Sequence, residues 1–289
     1  MFTIKLFLSI IPIAIIALVM YKIDIDKEPK KVLKQIFISS IIVGLAGGLI
    51  SYFLVQYINK LQFNSIFVYN VVRYVFIVAF IEEVCKFIPA KLIGMEGKHH
   101  TSFYDTLLYF VFAGLGFACI ENILYVLQYQ NPISRALISI PGHTCFGVLM
   151  GYYFAQAKVA SMNNNQELCN KNMLKSIFVP TFFHAAFDAL IFTFVEKENY
   201  FYLSLFFIFD ICMVIYCFLI VNKVSKVQQN LTNKIKSGVI SNNGRGQIVY
   251  NEAVPKTVNY CPICGSPVRG GHFCNNCGFN LDYTKEGSN

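Results

Sequence analysis

The sequence has few charged residues: Asp, Glu, Lys and Arg make up 14% of its 289 positions, whereas hydrophobic residues make up 55%. This balance, with a mean hydropathy of +0.52, excludes an ordinary soluble globular protein. It also excludes a disordered or fibrous chain. Apolar stretches long enough to cross about 30 Å of hydrocarbon recur between residues 4 and 222. The sequence therefore predicts an all-α polytopic membrane protein.

Hydropathy predicts about seven transmembrane helices, which together form a membrane domain over residues 1–222. The predicted spans are 4–21, 32–56, 66–90, 103–129, 136–157, 175–195 and 200–222. The first span is not predicted to be a cleaved signal peptide, because it ends without a small-x-small cleavage site.

The net charge of +8 comes mainly from lysines in the loops and the tail. The connections after the first, third and fifth spans are rich in lysine, and those after the second, fourth and sixth are poor in it. The positive-inside rule then predicts a multi-pass protein of the cell membrane with its N-terminus outside and its C-terminal tail in the cytoplasm. The basic charge therefore indicates topology and does not indicate nucleic-acid binding.

The tail predicts a flexible polar linker over residues 223–258 and a small zinc ribbon over residues 259–283. Two C-x-x-C-G sequences supply four thiolates, from Cys261, Cys264, Cys274 and Cys277. Disulfides are the alternative, but a cytoplasmic tail lies in a reducing compartment. Four cysteines close the coordination shell, so this zinc is predicted to be structural. Only Arg269 is basic between Cys261 and Cys277, which favours a cytosolic protein partner over nucleic acid.

Ionisable groups interrupt four of the apolar spans, although each costs about 2.5 to 3.5 kcal/mol near the bilayer centre. Span three contains Glu82, Glu83 and Lys86, span four contains Glu121, Asn122 and Tyr125, span five contains His143, and span six contains His184 and Asp188. Glu82 and Lys86 are four residues apart, as are His184 and Asp188, so each pair shares a helix face. The depths of the clusters predict one polar chamber near the midplane.

Each group also has a structural explanation. Glu82 and Lys86 can form a buried ion pair that fixes helix rotation, and His143 can be a hydrogen-bonded helix contact. The catalytic interpretation makes Glu82 or Glu83 the general base that activates water. His143, His184 and Glu121 then either bind a divalent metal, zinc above all, or polarise a peptide carbonyl without metal.

Asp188 is expected to orient the ring of His184 in the catalytic interpretation. The sequence contains no H-E-x-x-H and no G-x-S-x-G, so the zincin and serine-hydrolase arrangements are unsupported.

These motifs resemble the PrsW family of intramembrane proteases, which is related to the type II CAAX prenyl endopeptidases. The resemblance covers residues 66–195 and rests on Glu82-Glu83-x-x-Lys86, Phe117-x-x-x-Glu121-Asn122-x-x-Tyr125, His143 followed by Gly151-Tyr152-Tyr153, and His184-x-x-x-Asp188. It implies that the paired glutamates supply the base, that the histidines are metal ligands or oxyanion partners, and that Glu121 supports them. It also implies membrane-anchored, anti-sigma-factor-like substrates. The family motif more usually ends in Asn, where this chain has Asp188.

Two other functions fit the same residues. Intramembrane Glu, His and Lys also form proton relays in transporters, although the sequence shows no inverted repeat of broken spans. A non-catalytic membrane scaffold would use the ribbon to bind a partner and the buried charges to hold the helices together.

Overall fold

The structure, a computed structural model, describes residues 2–25, 27–64, 66–95, 102–129, 133, 135–237, 240–242, 248–250, 261, 266 and 273–275. In this part of the chain the architecture is a helical bundle with one two-stranded sheet, which confirms the predicted all-α membrane domain. Cys264 and Cys277 lie outside the described residues, so the four-cysteine zinc site remains a prediction.

The helices of the bundle follow the predicted spans in order. They are α1 Phe2–Ile23, α2 Lys30–Ile58, α3 Ile66–Val71, α4 Phe80–Pro89, α5 Phe103–Tyr129, α6 Ile140–Met162, α7 Gln166–Lys197 and α8 Tyr200–Lys236. Three π-helical segments accompany them, at Val72–Ala79, Ala90–Met95 and Arg135–Ser139. Five helical stretches are long and apolar enough to cross a membrane, namely Thr3–Ile23, Lys30–Ile58, Phe103–Gln128, Gln166–Lys197 and Tyr200–Lys234.

The third predicted span is the least regular helix. It runs as α3, a π-helical segment, α4 and a second π-helical segment, so that α4 carries its charged residues between two widened stretches. Pro89 closes α4, because proline has no backbone N–H to donate to the preceding turn. Such π-helical insertions are frequent at functional sites, because they change which side chains share a helix face.

Glycines allow α5 and α6 to pack with their backbones in close contact. A Cβ atom on Gly114 would lie 2.7 Å from the backbone oxygen of His143, and one on Gly147 would lie 2.7 Å from that of Phe110. Small residues are used in this way where membrane helices approach closely. The contact fixes the position of His143 relative to α5, which carries Glu121.

Hydrogen bonds between polar side chains mark the two ends of the bundle, the Asp24 end and the Asn59 end. At the Asp24 end, the Gln228 side chain of α8 donates to Asp24 Oδ1 at 3.0 Å, and Tyr109 donates to Glu28 Oε2 at 2.7 Å. At the Asn59 end, Tyr69 donates to Asn59 Oδ1 at 2.6 Å.

The beginning of the predicted linker is helical, which differs from the expectation. Helix α8 continues through Lys236, because Val224 and Gln228 on its last turns are buried against the bundle. Strands β1 Ile240–Asn242 and β2 Ile248–Tyr250 then pair antiparallel.

The tail contacts the turn between α6 and α7. The side chain of Asn163 donates to the backbone oxygen of Phe273 at 2.8 Å and accepts from its backbone N–H at 2.6 Å. Cys261 and Cys274 are both buried. The tail segment around Phe273 therefore docks at the Asp24 end, on the turn that joins the helices carrying His143 and His184.

Candidate active site

The four ionisable clusters of the sequence meet inside the bundle. Helix α4 supplies Glu82, Glu83 and Lys86, α5 supplies Glu121, α6 supplies His143, and α7 supplies His184 and Asp188. Their contacts, described below, form one continuous polar cluster among helices that are otherwise apolar.

Glu83 is the centre of this cluster. Its Oε1 atom accepts from Lys86 Nζ at 2.6 Å and lies 2.7 Å from His184 Nδ1. The side chains of Glu83 and Lys86 are completely buried. A buried charge pair is strongly stabilised only when further hydrogen bonds complete it, and His184 supplies one here. Because a carboxylate oxygen accepts, the contact assigns the proton of His184 to Nδ1 and leaves a lone pair on Nε2.

Glu82 points to the other side of His184. Its Oε2 atom lies 3.6 Å from His184 Nε2, and its side chain retains a 12% exposed fraction, whereas that of Glu83 has none. Adjacent residues on a helix point about 100° apart, which follows from 3.6 residues per turn. The two neighbouring glutamates therefore lie in different environments: Glu83 is buried in an ion pair, and Glu82 lines a cavity.

His143 and Glu121 form the second pair of the cluster. His143 Nε2 lies 2.6 Å from Glu121 Oε2, and the rings of His143 and His184 have centroids 5.6 Å apart at an interplanar angle of 87°. The two imidazoles and the carboxyl groups of Glu82 and Glu121 thus surround one small region.

Aromatic rings enclose the charged groups. Phe146 stacks on His184 with centroids 4.7 Å apart, and Lys86 Nζ lies 4.6 Å from the centroid of Phe117. The ring stack restrains the orientation of His184, and the cation–π contact helps to hold the buried ammonium group. Phe146 was not singled out in the sequence, although its position three residues after His143 on the same helix face would have indicated it.

A cavity of about 370 Å³ borders the cluster. It is lined by Val55, Arg73, Tyr74, Val78, Glu82, Glu121, Tyr125, Ile138, Ser139, Phe187, Asp188, Ile191 and Phe192. Carboxyl groups lie at one part of this lining and apolar or aromatic side chains cover most of the rest. The cavity has the mixed character of a site that binds an apolar chain and presents a few polar groups to it.

Three expectations about individual contacts need correction. Lys86 pairs with Glu83, three residues earlier, and not with Glu82, because Glu82 is turned toward the cavity. The Nδ1 atom of His184 contacts Glu83, whereas Asp188 Oδ2 lies 3.7 Å from Nε2, which is beyond hydrogen-bond distance. Asn122 donates to the backbone oxygen of Ser9 at 2.9 Å, so it joins α5 to α1 and does not line the cavity.

The donor types around the cavity fit a metal ion such as zinc. His143 Nδ1 and one carboxylate oxygen each of Glu82 and Glu83 are buried without a hydrogen-bond partner among the described residues, and such orphaned atoms call for an explanation. The His184–Glu83 contact is also the type that orients a metal-binding imidazole. As the side chains stand, however, no group of three or more His, Cys, Asp or Glu in the described part of the chain is arranged to share one ion.

Comparisons with known proteins agree with the site geometry. The sequence model of a family described as PrsW family intramembrane metalloprotease matches residues 28–221. The chain is 35% identical to Protease PrsW of Clostridioides difficile over 159 residues, which are 51% of this chain and 64% of that protein. It is 33% identical to Protease PrsW of Geobacillus kaustophilus over 131 residues, or 44% of this chain and 55% of that protein.

A third relative, Protease PrsW of Bacillus subtilis, is 29% identical over 114 residues, which are 39% of this chain and 50% of that protein. The chain thus spans less than two thirds of the length of these relatives. No solved structure matches it.

Proposed function

Because the chain belongs to the PrsW family of intramembrane metalloproteases, we propose that it is an endopeptidase that cuts membrane-anchored proteins within or beside the bilayer. One observation carries the proposal: Glu82, Glu121, His143 and His184, from four different helices, converge at one cavity. Single-span regulatory proteins of the anti-sigma-factor type are the proposed substrates. The lysine-rich loops support a cytoplasmic Asp24 end and an N-terminus outside.

In the proposed reaction, Glu82 is the general base. Its carboxylate lines the cavity, and it takes a proton from water as the water oxygen attacks the carbonyl carbon of the scissile bond. The same carboxyl group then gives the proton to the leaving nitrogen as the C–N bond breaks. Glu83 does not take part in this transfer, because its Oε1 atom is engaged by Lys86 and His184.

The imidazoles act on the oxygen of the scissile carbonyl. His184 is held by Glu83 on one side and by the Phe146 ring on its face, so it is oriented before the substrate binds. His143, His184 and Glu121 would hold a catalytic metal ion, which supplies Lewis-acid polarisation of the carbonyl when bound.

The test is cleavage of a single-span reporter by purified protein in liposomes. Glu82→Gln and His184→Ala should each lower the rate by at least about a hundredfold, since both remove a group that acts on the reacting atoms. Asp210→Asn is the matched control, because Asp210 is a carboxyl group of α8 that does not line the cavity. Wild-type rates in Glu82→Gln and His184→Ala would overturn the proposal. Ion flux without proteolysis would instead support a transporter.

A structural zinc ribbon at residues 259–283 is proposed for the tail, with a cytosolic protein as its partner. The burial of Cys261 and Cys274 supports it, because cysteine ligands of a structural zinc are shielded from solvent.

A further inference from the structure

Arg73 is an ionisable residue of the cavity that the proposed reaction does not use. It lies in the π-helical segment before α4 and lines the cavity together with Tyr74, Val78 and Glu82, at successive turns of one helix. It is the only Lys or Arg among the described residues of the lining. A charged side chain within a predicted span is expensive, so it normally has a partner or a function.

No acidic partner satisfies Arg73 in the described part of the chain. The Arg73 guanidinium donates to Tyr69 at a long 3.4 Å and lies 5.3 Å from the centroid of the Tyr74 ring. Among described residues, no carboxylate lies within the 4.0 Å of an ion pair with it. A guanidinium group has five N–H donors, so most of this capacity faces the cavity or solvent without a bond to described side chains.

The wall behind Arg73 holds the guanidinium group in place. Tyr74 stacks on Phe192 of α7, with ring centroids 5.5 Å apart and an interplanar angle of 13°. The cation–π contact therefore rests on a ring that is itself fixed between two helices. A pre-oriented guanidinium group suits a carboxylate, which it can bind through two parallel hydrogen bonds.

The separation of Arg73 from Glu82 defines where a substrate would present that carboxylate. Nine residues separate them, which is at most about 13 Å along a helix axis. An extended peptide advances about 3.3 Å per residue, so Arg73 lies roughly four residues from the scissile bond, toward the Asn59 end. Because both residues line one cavity, a continuous peptide fits better than a lipid headgroup held at the bilayer surface.

We propose that Arg73 is a specificity residue that binds an Asp or Glu side chain of the substrate, about four residues from the cut on the Asn59 side. The inference rests on the proposed protease function. It predicts that acidic residues near this position favour cleavage, and that a positive charge there disfavours it.

The experiment compares quenched fluorescent single-span reporters that carry Glu, Gln or Lys at each of the second to sixth positions on that side of the cut. Wild-type protein should prefer Glu over Gln by about tenfold in kcat/KM at one of these positions, mainly through KM. Arg73→Gln should reduce this ratio to about one, and Arg73→Glu should shift the preference to Lys. Lys60→Gln, which removes an exposed cation at the same end, should keep the wild-type ratio.

Two further arms separate the possible failures. Binding of the Glu and Gln reporters to Glu82→Gln protein measures the preference without catalysis, and it should again be about tenfold. Repeating the assay with and without phosphatidylglycerol in the liposomes tests a lipid source of the anion. Equal binding and cleavage of the Glu and Gln reporters, or a preference that follows the lipid, overturns the role of Arg73. Cleavage of no reporter by wild type overturns the protease function itself, and this inference with it.

Discussion

A single oxygen of Glu83 lies 2.7 Å from Nδ1 of His184, and the two residues are 101 positions apart in the chain. The same oxygen accepts from Lys86 at 2.6 Å. This contact ties α4 to α7 and separates the roles of two adjacent glutamates: Glu83 orients the histidine, and Glu82 remains available to a water molecule in the cavity.

The Glu83–Lys86 pair should contribute to stability as a unit. Glu83→Gln alone should lower the free energy of unfolding by about 3 to 5 kcal/mol, because it leaves a buried ammonium group without its counter-ion. Glu83→Gln combined with Lys86→Met should recover most of that loss but not the cleavage activity. Thermal unfolding in detergent micelles measures the first effect and reporter cleavage the second. An additive double variant would contradict this coupling.

Asp188 should matter less for activity than Glu83. It lies 3.7 Å from His184 Nε2 and does not hold the ring by a hydrogen bond. We expect Asp188→Asn to lower kcat by less than about tenfold, whereas loss of an orienting carboxylate typically costs about 10- to 100-fold. Steady-state cleavage of one reporter by both variants makes the comparison. A larger loss for Asp188→Asn than for Glu83→Gln would transfer the orienting role to Asp188.

Gly114 should be required for the position of His143. A methyl group at residue 114 would lie 2.7 Å from the His143 backbone oxygen, so Gly114→Ala must push α5 and α6 apart. We expect a loss of about 1 to 3 kcal/mol in unfolding free energy, together with reduced cleavage. Gly48→Ala is the control, since a Cβ there meets no atom within 4 Å. Equal stability of the two variants would show that the helices separate without cost.

Stability should fall with rising pH because of Glu28. Burial, followed by the charges of Asp105 and Asp24, raises the pKa of Glu28 from 4.5 to about 7, against the lowering effect of the Tyr109 hydrogen bond. Between these values the folded protein holds a proton that the unfolded chain has released, so stability is greatest below pH 4.5 and declines toward pH 7.

The variant Glu28→Gln should remove this decline. At pH 8 it should be more stable than the wild type by up to about 3 kcal/mol, and near pH 4 the two should be similar. Thermal unfolding across that pH range gives the measurement, with the exposed Glu167→Gln as control. A Glu28→Gln curve parallel to that of the wild type would refute the assignment.

Zinc content should divide between the tail and the bundle. Wild-type protein should bind about two equivalents, since a four-thiolate site and a His2Glu site each hold one ion. Cys261→Ser with Cys274→Ser should lose one equivalent, and His143→Ala with His184→Ala should lose the other. Elemental analysis after dialysis measures both. Loss of all zinc in the cysteine variant would indicate a metal-free bundle.

The sequence by itself determined the class of the molecule and the members of its site. Apolar stretches must be helical in lipid, because their backbone groups have no water to bond. Ionisable residues are costly within such stretches, and this cost alone singled out Glu82, Glu121, His143 and His184. The length of α8 was underestimated, because its last turns are polar and become helical by packing against residues near Asp24.

Only the tertiary structure decided which groups contact one another. Spacing allowed Lys86 to pair with Glu82, and allowed Asp188 to orient His184, yet Glu83 makes both contacts. Helix rotation and the π-helical segments around α4 set these choices, because they determine the direction of each side chain relative to the neighbouring helices. Arg73 had no motif around it, and its place in the cavity with Glu82 depends on that same helix geometry.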